Sequence, residues 1–244
     1  MKKETDSPAK KFWAKQRLLV IAPHPDDEVY GCAATMAKAK ALGAEVYVMI
    51  FSVGDLKFYE KKNVVRASER IREVGKAAKL LGWDGYQVIF TDVQKHLRLD
   101  AIPRRDLIAQ VERESIVSLE RIRPTLVAIP AASYNQDHEA VYKASFTALR
   151  VHAGGHKTAV DQVMVYDHPT LYWSKAGEEF HPNFYVDIQD YLEIKKKAIR
   201  IYASQNRDRR DPCSLENMID LAHIRGREVG RAACEAYAVC RMVV

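Results

Sequence analysis

The chain of 244 residues contains four cysteines, Cys32, Cys213, Cys234 and Cys240, and no C-x-x-C pair. That scatter excludes a disulfide framework or a cysteine-built zinc cluster and leaves buried or incidental thiols. No apolar run is long enough to cross a bilayer. Met1 to Gln16 is lysine-rich and has no apolar core segment, so it does not read as a signal peptide. It reads as a mobile arm ahead of one folded domain over residues 17–244, and the expected location is the reducing cytoplasm. Formal charge is +6, but the longest basic run is Lys195-Lys196-Lys197, with no interleaved aromatics. A solvated helix face is the expectation there, with no nucleic-acid partner. Internal repeats, low-complexity segments and a G-x-G-x-x-G phosphate loop are all absent.

What is present is a large apolar fraction, 48% of the chain, arranged in short runs separated by helical periodicity. Arg17 to Ala22 and Val46 to Phe51 read as buried strands. Asp27 to Leu42 reads as a helix that Gly43 stops, and Val64 through Leu81 as a second helix that Gly82 ends. Tyr86 to Phe90 is a third strand. Pro103 opens one long helix carrying Ile108, Val111, Ser115, Leu119 and Ile122, and Leu126 to Ile129 is a fourth strand. Val163 to Tyr166, then Tyr185 and Val186 at an edge, complete the sheet. Asp187 caps a helix through Tyr202, and a final helical region runs from Leu215 onward. The alternation predicts an α/β fold, a mostly parallel sheet with helices on both faces. Ligands in such sheets bind beyond the carboxyl ends of the strands. His24, Ser52 to Asp55, Asp92 and Ala131 to His138 all follow predicted strands and should meet on one rim.

Pro23-His24-Pro25-Asp26-Asp27-Glu28 places an imidazole and three carboxylates on a stiff loop. Three acids so close repel one another unless a positive charge sits among them. A helix N-terminus would account for Asp27 and Glu28 but not for a histidine held between two prolines. A divalent cation accounts for all of it. The second chemical stretch, Tyr134-Asn135-Gln136-Asp137-His138, supplies another imidazole after the fourth strand. His24, one of Asp26 or Asp27, and His138 form an ordinary donor set for a hydrolytic metal.

These segments resemble the PIG-L, or LmbE, family of zinc-dependent N-deacetylases. Pro23 to Glu28 is similar to its HPDDE signature, and Asp137-His138-Glu139-Ala140 to its "DH" segment. Arg66-Ala67-Ser68-Glu69 with Leu81-Gly82 resembles its "R-x-x-E … LG" helix. Lys195 or Lys197 with Tyr202-Ala203-Ser204-Gln205 resembles "K … A … SQ", and Glu235-Ala236-Tyr237 the closing "EAF". The resemblance implies a Rossmann-like three-layer sandwich holding one Zn2+ (or another divalent ion) per chain, with His24, Asp27 and His138 as ligands and Asp26 as general base. It further implies Arg66 as a substrate contact, joined by Asn135 and Asp92, with Glu28 and Asp137 supporting the site from behind. Substrates of the family are N-acetylglucosamine-type sugar conjugates, and homo-oligomers are frequent in it. Members often carry His where this chain has Asn135. An amide donates a hydrogen bond but supplies no proton, so Asp26 serves as both base and acid, or His168 helps. A loop or packing histidine is the simpler reading of His168. Tyr172, Trp173, Phe180 and Phe184 offer faces for sugar stacking, although packing suits most of them better. A phosphoester hydrolase would want a second metal motif, and a nucleotide-binding domain would not begin with an acidic turn.

Overall fold

The computed structural model describes residues 7–57, 64–151, 159–168, 180–205 and 207–243. Its centre is β1 (Arg17–Ala22), a run of Leu-Leu-Val-Ile buried on both faces. Because successive strand side chains alternate, Leu18, Val20 and Ala22 enter one core cluster and Leu19 and Ile21 the other. Each such side chain contributes about 1.5–3 kcal/mol by leaving water. The flanking strands are β2 (Glu45–Ser52), β5 (Gly85–Phe90), β6 (Leu126–Pro130) and β7 (Gln162–Tyr166), all parallel to β1 within one sheet. The sheet has seven strands in the order β5-β2-β1-β6-β7-β9-β8, where β8 is Phe184–Asp187 and β9 is Cys234–Met242. It is thus the mostly parallel α/β sheet expected, with an antiparallel edge.

One face is covered by α2 (Asp27–Ala41), α3 (Ala67–Leu81), α7 (Leu192–Ile201) and α8 (Leu215–Glu228). The other is covered by α4 (Arg104–Ala109), α5 (Leu119–Ile122) and α6 (Gln136–Ala148). Helix α2 lies close to the sheet because Gly31 faces the ring of Tyr166, where a Cβ would sit 2.3 Å from the ring. Gly82 ends α3 at φ +67°, a left-handed cap that glycine adopts at no steric cost.

Four sequence expectations are corrected. From Ser7 onward the N-terminal arm is folded, with helix α1 (Pro8–Trp13) capped by Ser7 and Trp13 buried in the core. Val64 belongs not to α3 but to a short hairpin, β3 (Leu56–Lys57) with β4 (Val64–Val65). The long helix after Pro103 breaks into α4, a π-turn over Gln110–Glu114, and α5. The chain does not end helically, because β9 inserts antiparallel between β7 and β8.

Candidate metal centre

The strand ends bring the predicted residues to one rim. Ser52 N donates to Pro23 O at 2.9 Å, joining the loop after β1 to the end of β2, and Ala131 N to Tyr166 O at 3.2 Å, joining the loop after β6 to the end of β7. On this rim the His24, Asp27 and His138 donor atoms lie within 4.8 Å of one another, and all three residues are buried. Asp137, fully buried, accepts from Leu99 N at 2.8 Å through Oδ1 and meets His24 Nε2 at 2.8 Å through Oδ2. A carboxylate only accepts, so Nε2 of His24 carries the proton, and in the neutral form that ligation requires Nδ1 presents its lone pair. That lone pair faces Asp27 Oδ2 at 3.6 Å, and His138 Nε2 is 3.4 Å from the same oxygen. On His24, acceptor faces acceptor. A divalent cation resolves that conflict, and two imidazoles with one carboxylate suit zinc or a similar ion. Asp137 fixes His24 as such ligands require, whereas Nδ1 of His138 has no hydrogen-bond partner among the described residues.

Burial drives the charges in a consistent direction. It pushes His138 down to about 3, a neutral imidazole able to ligate. Burial alone would raise Asp27, but His138, His168 and His24 around it hold its carboxyl well below the usual range. His168, which the sequence suggested as a loop or packing residue, is instead 3% exposed with Nε2 2.8 Å from Asp27 Oδ1. Its occupation of Oδ1 leaves Oδ2 to face the two ligand imidazoles. The only signal for this in the sequence was its place directly after β7, on the same rim.

Asp26 starts α2 yet makes no side-chain cap, so helix capping does not explain its carboxylate. Its backbone stands at φ +114°, ψ −34°, a region non-glycine residues rarely occupy. Burial, then the neighbouring Asp27, pushes its carboxyl well up, with Arg70 opposing. Behind it Glu28 is fully buried and is raised by burial to about 7.

The centre opens into a cleft of about 450 Å³ lined by His24, Asp26, Asp27, His138, Arg70 and Asn135 among others. Arg66 is not part of that lining: its side chain is 69% exposed and donates to Asp55 Oδ2 at 2.6 Å. The R-x-x-E spacing recurs one turn later as Arg70-Ile71-Arg72-Glu73, and this second pair is the buried one. Arg70 donates to His96 Nε2 at 2.9 Å, so the proton of His96 sits on Nδ1, toward Ser52 Oγ at 3.1 Å. Glu73 accepts from Ser204 N at 2.8 Å and Ser204 Oγ at 2.5 Å, which sets Gln205 in the cleft wall. Asp92 likewise lies outside the lining; exposed, it accepts from Gln94 N at 2.9 Å in a turn. Asn135 does line the cleft, but its Oδ1 caps α6 by accepting from the backbone of Asp137 and His138. Only its amide nitrogen is available to a ligand.

The remaining motif residues are framework. Lys195, not Lys197, is the buried one, donating to Glu235 Oε1 at 2.5 Å and Tyr30 O at 2.6 Å. Glu235 also accepts from Ala34 N and Thr35 N, locking β9 to α2. Tyr172 and Trp173 lie outside the described residues, while Phe180 and Phe184 pack against the two cores.

The sequence model of the PIG-L family, described as GlcNAc-PI de-N-acetylase, matches residues 19–149, more than half of the chain. The chain belongs to the PIG-L family. Among its relatives is the uncharacterized deacetylase YaiS of Escherichia coli K12, 27% identical over 78% of this chain and 92% of that protein. The diacetylchitobiose deacetylase of Thermococcus kodakarensis is 24% identical over 78% of this chain and 70% of its own. In structure the chain is similar to the conserved protein TT1542 of Thermus thermophilus, with a TM-score of 0.70, 25% identity, and coverage of 94% and 96%. Within the family fold the HPDDE loop and the DH segment thus fall at the rim where the matched strands end. No helix among the described residues is long and apolar enough to cross a membrane.

Proposed function

We propose that this PIG-L family member is a metal-dependent hydrolase that removes the acetyl group from an N-acetylated amino-sugar conjugate. The observation that carries the reading is the convergence of His24 Nδ1 and His138 Nε2 on Asp27 Oδ2, at 3.6 and 3.4 Å, next to a buried and strained Asp26. The deacetylase relatives, one of them named for diacetylchitobiose, support the substrate class.

His24 Nδ1, Asp27 Oδ2 and His138 would hold the ion. When bound, a divalent cation supplies Lewis acidity toward the amide carbonyl and makes water acidic near neutral pH. The protein does the rest. Asp26 takes the proton from the attacking water, because its carboxylate lines the cleft and makes no helix-cap bond. Its burial raises its proton affinity, and the same oxygen then returns the proton to the departing amine, since Asn135 supplies none. Arg70, held against His96, takes the substrate-contacting role that the sequence assigned to Arg66, because it is buried and lines the cleft. The Asn135 amide nitrogen adds a hydrogen-bond donor.

The test is acetate release from a panel of N-acetylglucosamine conjugates by metal-replete protein. Release that chelation abolishes and metal restores supports the reading. No release from any conjugate, with one ion bound per chain, would overturn it. In that case hydrolysis of other amides or esters is the chemistry to assay.

A further inference from the structure

The backbone at Asp26 poses a question that the metal ligands do not answer. A φ of +114° at an aspartate costs on the order of 1–3 kcal/mol and persists only where surrounding groups over-determine it. Two of the restraints are ordinary: Val29 N and Tyr30 N both donate to Asp26 O at 3.0 Å, as the first turn of α2. The third starts within that turn, at Glu28, and is anchored from outside it. Asp26 N donates to Glu28 Oε2 at 3.1 Å, and Glu28 Oε1 accepts from the hydroxyl of Tyr202, at the end of α7.

We infer that Tyr202 is a positioning residue for Asp26, acting through Glu28. The inference rests on the reading of Asp26 as the base, but its geometry stands without it. Glu28 and Tyr202 are both fully buried, so no water competes for either end of the chain. A carboxylate that accepts at both oxygens has a fixed plane; with one donor removed it can rotate about its terminal torsion. The orientation that Tyr202 imposes on Oε1 therefore fixes Oε2 beneath the Asp26 N–H. Tyr202 is itself secured, because Gln205 N donates to Tyr202 O at 2.8 Å and Ser204 is pinned to Glu73. The same short segment thus orders the base from behind and places Gln205 in the cleft wall. The Tyr-Ala-Ser-Gln run, 174 residues from Glu28 in sequence, then serves two ends of one site.

The experiment is Tyr202→Phe in the full-length protein, loaded with one zinc ion per chain. Turnover of an N-acetylglucosamine conjugate should fall about tenfold, the scale of one lost hydrogen bond. KM and zinc content should stay within twofold. The Asp26 amide, read by hydrogen exchange, should lose at least about tenfold of its protection while the β1 amides keep theirs. If Tyr202→Phe does not fold, Glu28→Gln and Glu28→Ala replace it. Gln still accepts from Asp26 N–H and donates to Tyr202, so it should preserve protection at Asp26 that Ala loses. Unchanged exchange at Asp26, or an equal rise at Asp26 and throughout β1, would reduce Tyr202 to a packing residue and overturn the inference. A wild-type protein that releases no acetate refutes the functional reading instead, and the exchange experiment still decides this one.

Discussion

Replacing Asp137 by asparagine should damage the metal centre although Asp137 is not among its ligands. The carboxylate accepts twice, from Leu99 N and from His24 Nε2, both at 2.8 Å. Asparagine has one oxygen, so it can satisfy only one of these donors. If the amide oxygen keeps Leu99, its NH2 faces His24 Nε2, which must then accept, and the imidazole proton moves to Nδ1. That is the atom that should ligate, so the tautomer is inverted. If the oxygen keeps His24, the NH2 meets the Leu99 N–H donor to donor in a buried site, at a cost of about 1–3 kcal/mol. The first outcome predicts metal affinity weaker by about 10–100-fold, or ~1.4–2.8 kcal/mol; the second keeps the tautomer and predicts instead a loss of that size in urea unfolding. The assay is competition for zinc against a chelator of known affinity, with circular dichroism to verify folding. A folded Asp137→Asn whose affinity is within twofold of wild type and whose urea midpoint is unchanged would refute the two-donor argument.

Three further outcomes follow from other contacts. Arg70→Met should raise KM or lower turnover of the sugar conjugate at least about tenfold, an interaction worth ~1.4 kcal/mol, whereas Arg66→Met should change neither more than twofold; equal effects would contradict the placement of Arg70 in the cleft. Lys195→Met leaves Glu235 buried without its cation and should cost about 3–5 kcal/mol in urea unfolding, much of it recovered in Lys195→Met/Glu235→Gln; a loss below ~1 kcal/mol would contradict it. Burial lowers His138 and His96 to about 3, so between 6.5 and 3 the unfolded chain binds more protons than the native one. Glu28, raised to about 7, and Asp26 act in the opposite sense over the upper part of that range. Urea midpoints of the metal-free protein should therefore change little from about pH 6.5 to 4.5 and fall below about pH 4; a midpoint that rises on acidification there would contradict the neutral state of the imidazoles.

The parallel core was legible because β1, β2, β6 and β7 are buried on both faces and so appear as short continuous apolar runs. The loop Pro23 to Glu28 was legible because three acids beside a proline-bracketed histidine have few structural uses. Strand β9 was not, since Cys-Glu-Ala-Tyr-Ala carries residues with helix preference, and only pairing with β7 and β8 makes it a strand. Arg66 and Arg70 share one helix and one spacing pattern, and burial, which the pattern does not encode, separates them. His168 and Tyr202 reach the site through tertiary contacts with Asp27 and Glu28 more than 140 residues away. The position of His168 after β7 and the Tyr202–Gln205 motif point to the rim, but such separations leave no local signal of which residue each one meets. The same holds for Lys195 against Lys197, where the helix face chosen by Glu235 decides.

In the proposed function two adjacent aspartates divide the work, Asp27 holding an ion and Asp26 moving a proton. Asp26→Asn tests that division most directly, by metal content and acetate release measured on the same preparation. The expected result is one zinc per chain, as in wild type, with turnover reduced at least about a hundredfold, the lower end of what general base catalysis contributes. A variant that loses its zinc, or one that keeps both zinc and near-normal acetate release, would contradict it.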